Sequence, residues 1–144
     1  MTLEAIAYVS SATGSMTEPE LEALLLKARA KNREAGVTGV LLFHDGSFFQ
    51  YFEGPTEGVQ SVYDRILASP LHQGITELMR SSTHDRAFGN WQMGLSRAPR
   101  STILGLSNAS WLTEKQRGSS SPAVPVGMSL LLEFWKTFSG RHAA

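Results

Sequence analysis

The 144 residues are 42% hydrophobic and 18% charged, enough apolar material for one packed domain with a short appendage and too little charge for a disordered chain. Lysine plus arginine and aspartate plus glutamate each number 13, so the formal net charge is zero and no basic excess draws the chain onto nucleic acid. The absence of cysteine excludes disulfides, thiolate metal sites and catalytic thiols, and no apolar run approaches the roughly 20 residues of a membrane span. With no basic-then-apolar leader at the start, the expectation is a cytoplasmic protein, away from membranes.

Residues 3–10 alternate as a first strand, and Ser11 to Ser15 is turn chemistry. Thr17-Glu18-Pro19-Glu20 fits a capping box, opening a helix that stops at Gly36. Its apolar stripe is Leu21, Leu24, Leu25 and Ala28, and a turn further along that stripe lies Asn32. Val37 to Phe43 reads as a second strand, His44-Asp45-Gly46 as a hairpin turn and Ser47 to Glu53 as the returning third strand. Gly54-Pro55-Thr56-Glu57 opens a second helix that carries Val59, Val62, Ile66 and Leu67 and ends near Ser69-Pro70. A fourth strand is expected around Ile75 to Ser81 and a fifth around Trp91 to Ser96. The order β-α-β-β-α-β, with one strand added, predicts an α+β, ferredoxin-like sandwich with a C-terminal helical extension.

After Arg97 the texture changes. Residues 1–97 are expected to form the domain, 98–125 an irregular linker rich in Ser, Gly and Pro, and 126–139 a helix with apolar residues at Met128, Leu131, Leu132, Trp135 and Phe138. Strand 3 puts Phe48, Gln50 and Phe52 on one face and Phe49, Tyr51 and Glu53 on the other, so both faces of the sheet need cover. Two crossover helices cover one. The tail helix, or the same face of another subunit, is the candidate for the second.

Polar groups on faces that should be apolar carry the functional signal. Gln50 lies between Phe48 and Phe52, Tyr8 shares a face with Ile6, and Asn32 extends a buried helical stripe. A buried amide without partners costs about 1–3 kcal/mol, so each must be paired. One such residue is ordinarily satisfied by backbone, and Tyr8, Trp91 and Met93 taken singly are ordinarily core filling. Three from separate elements imply a polar ligand between sheet and helices, which the spacing leaves unnamed.

The chain resembles BLUF domains, the flavin-based blue-light sensors, across roughly residues 3–97. The resemblance rests on Ile6-Ala7-Tyr8-Val9-Ser10, on the run from Asn32 to Leu41, on Phe48-Phe49-Gln50-Tyr51-Phe52-Glu53-Gly54-Pro55 and on Phe88-Gly89-Asn90-Trp91-Gln92-Met93, in this order and spacing. It implies FAD as cofactor, with FMN or riboflavin open. Tyr8 would donate an electron and a proton to the excited ring, and Gln50 would bridge the Tyr8 hydroxyl and the N5 and C4 carbonyl edge. It also implies Asn32 on the C2 to C4 edge, Leu24, Leu41 and Phe48 packed around the ring, His72 nearby and Arg65 at the ribityl or phosphate end. Trp91 and Met93 sit where the family varies its fifth strand. A separate protein effector or a homo-oligomer would carry the output.

Other constellations carry less. His44-Asp45 and His84-Asp85 read as solvated turns, not metal ligands, and Arg29, Lys31 and Arg33 as a solvated basic face at the helix end. An acylphosphatase-like hydrolase would need an arginine in an anion-cradling loop after strand 1, and Ser10 to Thr17 has none, so no turnover chemistry is expected. A flavin-free assembly module on the same fold is the remaining alternative; it would be colourless.

Overall fold

The computed structural model describes residues 2–89, 93–109, 111 and 126–138. In chain order these form β1 (Leu3–Ala12), α1 (Glu18–Ala35), β2 (Thr38–His44), β3 (Ser47–Pro55), α2 (Thr56–Ala68), β4 (His72–Thr83), β5 (Gly94–Arg97), α3 (Arg100–Asn108) and α4 (Val126–Phe138). The sheet order is β4-β1-β3-β2-β5; every pairing is antiparallel except β5, which runs parallel to β2. The first four strands have the ferredoxin-like order, and β5 is added at the edge.

Local chemistry sets the boundaries of α1 at both ends. The Thr17 hydroxyl accepts from the Glu20 amide at 3.3 Å while the Glu20 carboxylate accepts from the Thr17 amide at 2.9 Å. At the other end Gly36 adopts φ 72°, a left-handed cap that only glycine enters without strain. Between β2 and β3, Asp45 (φ 42°) and Gly46 (φ 83°) both lie at positive φ, as a two-residue hairpin with the sheet's own twist requires.

The two faces of the sheet are covered differently. Ile6, Tyr8, Leu41, Phe48 and Phe52 face Leu21 and Leu25 of α1 and Val59, Val62 and Ile66 of α2. On the opposite face Ala7, Val40, Leu42, Phe49 and Tyr51 meet Ile103 and Leu106 of α3, Trp111, and Leu131 and Trp135 of α4. Full burial of each large apolar side chain contributes about 1.5–3 kcal/mol, so neither layer is dispensable. Trp111 organises the second layer. Its ring stacks on Phe49 at 5.7 Å between centroids, its indole N–H donates to the Leu106 carbonyl at 2.8 Å, and Gly127 of α4 packs against the ring.

Glu53 is a buried carboxylate in that second layer. It accepts from the Tyr51 hydroxyl (3.1 Å), the Ala87 amide (3.0 Å) and the Phe88 amide (2.6 Å). Arg86 beside it donates to the Gly36 carbonyl at 2.7 Å and to the Thr38 hydroxyl at 2.8 Å. These bonds tie the segment after β4 to the end of α1 and to β2.

Two expectations need correction. The stretch 98–125 is not wholly irregular, because α3 occupies Arg100–Asn108; residues 110 and 112–125 lie outside the described residues. α3 starts behind Pro99 with no side-chain cap and buries only Ile103 and Leu106, too few positions to show a helical period. β4 spans His72–Thr83, longer at both ends than the expected Ile75 to Ser81. Register shifts between Ala7 and Tyr8 and between Val9 and Ser11 interrupt its pairing with β1, so the alternation that marks a strand breaks down.

Candidate functional site

The antiparallel register of β1 on β3 sets Tyr8 directly opposite Gln50, and the register of β2 on β3 sets Leu41 on the other side of Gln50. All three are buried. The Tyr8 hydroxyl donates to Gln50 Oε1, and Gln50 Nε2 donates to Met93 Sδ at 3.5 Å. Phenol, amide and thioether thus form one chain of donors and acceptors. Burial pushes the Tyr8 phenol well above its ordinary range, with Tyr63 adding to the effect, so Tyr8 stays a protonated donor.

Aromatic rings surround this chain. Phe52, Tyr63 and His72 lie at 6.3, 6.3 and 6.1 Å from the Tyr8 ring, and Phe48 lies at 5.0 Å from His72. His72 Nδ1 pairs with the Ser10 hydroxyl at 2.9 Å, and burial lowers its pKa, which favours the neutral imidazole.

The second half of the site sits on the helices. Asn32 is fully buried on the α1 stripe with Leu21 and Leu25, and its Oδ1 accepts from the Arg65 guanidinium of α2 at 3.3 Å. Burial lowers the pKa of Arg65, partly offset by Glu34. Leu24 is half-buried against the same core. α1 and α2 touch where Gly58 meets Ala35; a Cβ on Gly58 would stand 2.1 Å from the Ala35 carbonyl oxygen. A cavity of about 310 Å³ opens between the helices, lined by Lys31, Glu34, Ala35, Ser61 and Arg65.

Of the residues singled out in the sequence, Tyr8, Gln50 and Met93 are thus joined directly, Phe48 and His72 stand around them, and Asn32 joins Arg65 on the helices. Trp91 lies outside the described residues. Sequence reasoning missed Ser10 and misread Arg29. Arg29 is half-buried, not on a solvated face, and its Nε donates to the Met93 carbonyl at 3.2 Å. The available signal was spacing: Leu25, Arg29 and Asn32 stand at i, i+4 and i+7, on one side of the helix. Among the described residues no group of three or more His, Asp or Glu could hold a metal ion, and no helix is long and apolar enough to cross a membrane.

Chemically, the centre has the make-up a reversible relay needs. A primary amide is a donor at one end and an acceptor at the other, so turning it end for end exchanges the two roles without moving its neighbours. Gln50 and Asn32 are two buried amides on separate elements, each able to pair with an edge of mixed donors and acceptors; neither lines the cavity between α1 and α2. Lys31 and Arg65 on the cavity wall suit a phosphate tail.

Comparison with known proteins agrees. The family model described as BLUF, sensors of blue-light using FAD, matches residues 3–94. Over 87 residues the chain is 33% identical to photoactivated adenylate cyclase subunit beta of Euglena gracilis, a match covering 60% of this chain and 10% of that protein. Over 93 residues it is 34% identical to the blue light- and temperature-regulated antirepressor BluF of Escherichia coli (strain K12), covering 65% of this chain and 23% of that one. It therefore spans at most about a quarter of these relatives' length. The dark-state structure of BlrB, a BLUF protein, superposes with a TM-score of 0.68 at 24% identity over 91% of this chain and 92% of that one, a likeness of fold. With its sheet order, its buried Tyr8–Gln50 pair and a family match over 3–94, the chain belongs to the BLUF family of flavin-based blue-light sensors.

Proposed function

We propose that Tyr8 and Gln50 are the photochemical switch of this sensor, with the flavin held between α1 and α2. The observation that carries the proposal is the buried hydrogen bond from the Tyr8 hydroxyl to Gln50 Oε1, continued from Gln50 Nε2 to Met93. A bound flavin supplies a blue-light absorber that, once excited, accepts one electron and one proton. Tyr8 can release both and later recover both; its hydroxyl proton leaves through Gln50, whose Oε1 takes it up as Nε2 gives one up, so the amide relays the proton without keeping it. Loss of the phenolic proton removes the donor that fixes the amide, and Gln50 is then free to turn. On the way back Tyr8 regains its electron and proton, so what persists is the orientation of one side chain.

In this proposal Asn32 holds the C2 to C4 edge and Gln50 the N5 and C4 edge. Leu24, Leu41 and Phe48 pack around the ring, His72 lies nearby, and Arg65 meets the ribityl or phosphate end. Trp91 and Met93 respond as the amide turns. FAD is the proposed cofactor over FMN and riboflavin; release by denaturation and chromatography against the three standards decides it. The proposed organisation is a sensor unit over 1–97, a connecting segment over 98–125 and a C-terminal helix over 126–139 that packs on the sheet or on another subunit. The chain itself performs no turnover, and its output passes to a separate effector or to a second copy. The effector proposal draws on the relatives, whose names include an adenylate cyclase and an antirepressor.

The test is an absorption spectrum of the purified chain before and after blue light. A yellow protein with a reversible red shift is expected, and Gln50→Leu and Tyr8→Phe each abolish the shift while keeping the colour. A normal photocycle in either variant removes that residue from the mechanism, and a colourless protein supports an assembly module instead.

A further inference from the structure

Met93 is held from two sides. Its thioether accepts from Gln50 Nε2 at 3.5 Å, and its main-chain carbonyl accepts from Arg29 Nε at 3.2 Å. The two holds are unequal, because a thioether is a weak acceptor whereas a guanidinium donor gives a charge-assisted bond. Arg29 lies one turn before Asn32 on the inner side of α1, so the helix that presents the buried amide also reaches across to the other end of the switch. The carbonyl it grips stands immediately before β5, where Gly94 and Leu95 pair with Val40 and Leu41 of β2.

We infer that Arg29 is a positioning residue that pins the Met93 main chain and thereby sets how long the turned state of Gln50 survives. The inference rests on the Tyr8–Gln50 reading above. In the structure Nε2 faces the sulfur and a donor meets an acceptor, which we take as the arrangement before light. After the amide turns, Oε1 faces the sulfur and two acceptors oppose each other. That conflict is relieved when Met93 withdraws or when the amide turns back. A pinned carbonyl restrains withdrawal and drives the amide home. An unpinned carbonyl lets Met93 retreat, and the lit state lives longer.

The experiment measures recovery of the dark spectrum after a blue pulse, on the full flavin-loaded chain, for wild type, Arg29→Ala, Met93→Leu and the double variant. Arg29→Ala is expected to slow recovery about tenfold, the size associated with one charge-assisted hydrogen bond. In the Met93→Leu background, which has no sulfur to oppose the amide, the same change has an effect of less than about twofold on this reasoning. A second readout needs no light: amide hydrogen exchange at Leu95 and Ser96, in protein with and without flavin, quickens in Arg29→Ala. Unchanged recovery in Arg29→Ala with a normal dark spectrum overturns the inference, as does an equal slowing with and without Met93. A wild-type chain that shows no red shift defeats the sensor mechanism instead; hydrogen exchange then decides the pinning by itself, unchanged exchange overturning it.

Discussion

Replacing Glu53 with glutamine tests whether the second layer is anchored by a carboxylate. In the native protein one carboxylate oxygen takes the Tyr51 hydroxyl and the Ala87 amide, and the other takes the Phe88 amide. A glutamine keeps one acceptor oxygen. If its NH2 occupies the second position, it faces the Phe88 N–H, donor against donor; if it occupies the first, it faces the Ala87 N–H in the same way, while the Tyr51 hydroxyl can turn to accept from it. Either arrangement forfeits one bond to a charged group and leaves one main-chain N–H unpaired, about 3–5 kcal/mol before relaxation. Removing a buried charge returns part of its desolvation cost, so the net loss is about 2–3 kcal/mol. Urea unfolding of wild type and Glu53→Gln measures it, with the slope unchanged. Exchange of the Phe88 amide should rise in parallel. A loss under about 0.5 kcal/mol, or a gain, means that desolvation outweighs the hydrogen bonds and refutes the anchoring argument.

Three further outcomes are expected. Burial holds His72 below its ordinary pKa of 6.5, so its contribution to stability is complete above that value and declines as pH falls below it; His72→Gln should flatten the slope of stability against pH in this acid range. All three tyrosines are raised above the ordinary 10, chiefly by burial, with Tyr63 pushed up to about 12. The unfolded chain therefore ionises first as pH passes about 10, and phenolate absorbance should grow together with loss of fold; a separate phenolate step near pH 10 in folded protein contradicts this. Gly58→Ala gains helix propensity but drives a methyl into the Ala35 carbonyl, and should cost about 1–3 kcal/mol and weaken flavin retention, read by thermal unfolding and by the yellow colour after gel filtration.

Much of the fold was legible because its boundaries are written in adjacent residues. The capping box at Thr17, the Gly36 cap and the Asp45-Gly46 turn each need only a few neighbours, and together they place α1, β2 and β3. Alternation showed only that Gln50, between two phenylalanines on a buried face, needs a partner; that the partner is Tyr8 was what the BLUF resemblance implied. Long-range chemistry was hidden. Nothing near Arg29 shows that a carbonyl 64 residues away will claim it, and Ser10 gains meaning only when His72 arrives beside it. α3 was hidden for a different reason: nine residues with two buried positions present no period.

The doubly sealed ends of α1 have a consequence for how this chain can vary. Because both termini are fixed, the phase of the helix is fixed too, and Arg29 and Asn32 inherit their direction from it. One residue inserted between Thr17 and Arg29 would swing both side chains by about 100° around the axis, out of the interior. Substitutions at its outward positions, such as the exposed Leu26, leave that phase alone. The helix should therefore drift freely in composition along its outer surface and hardly at all in length.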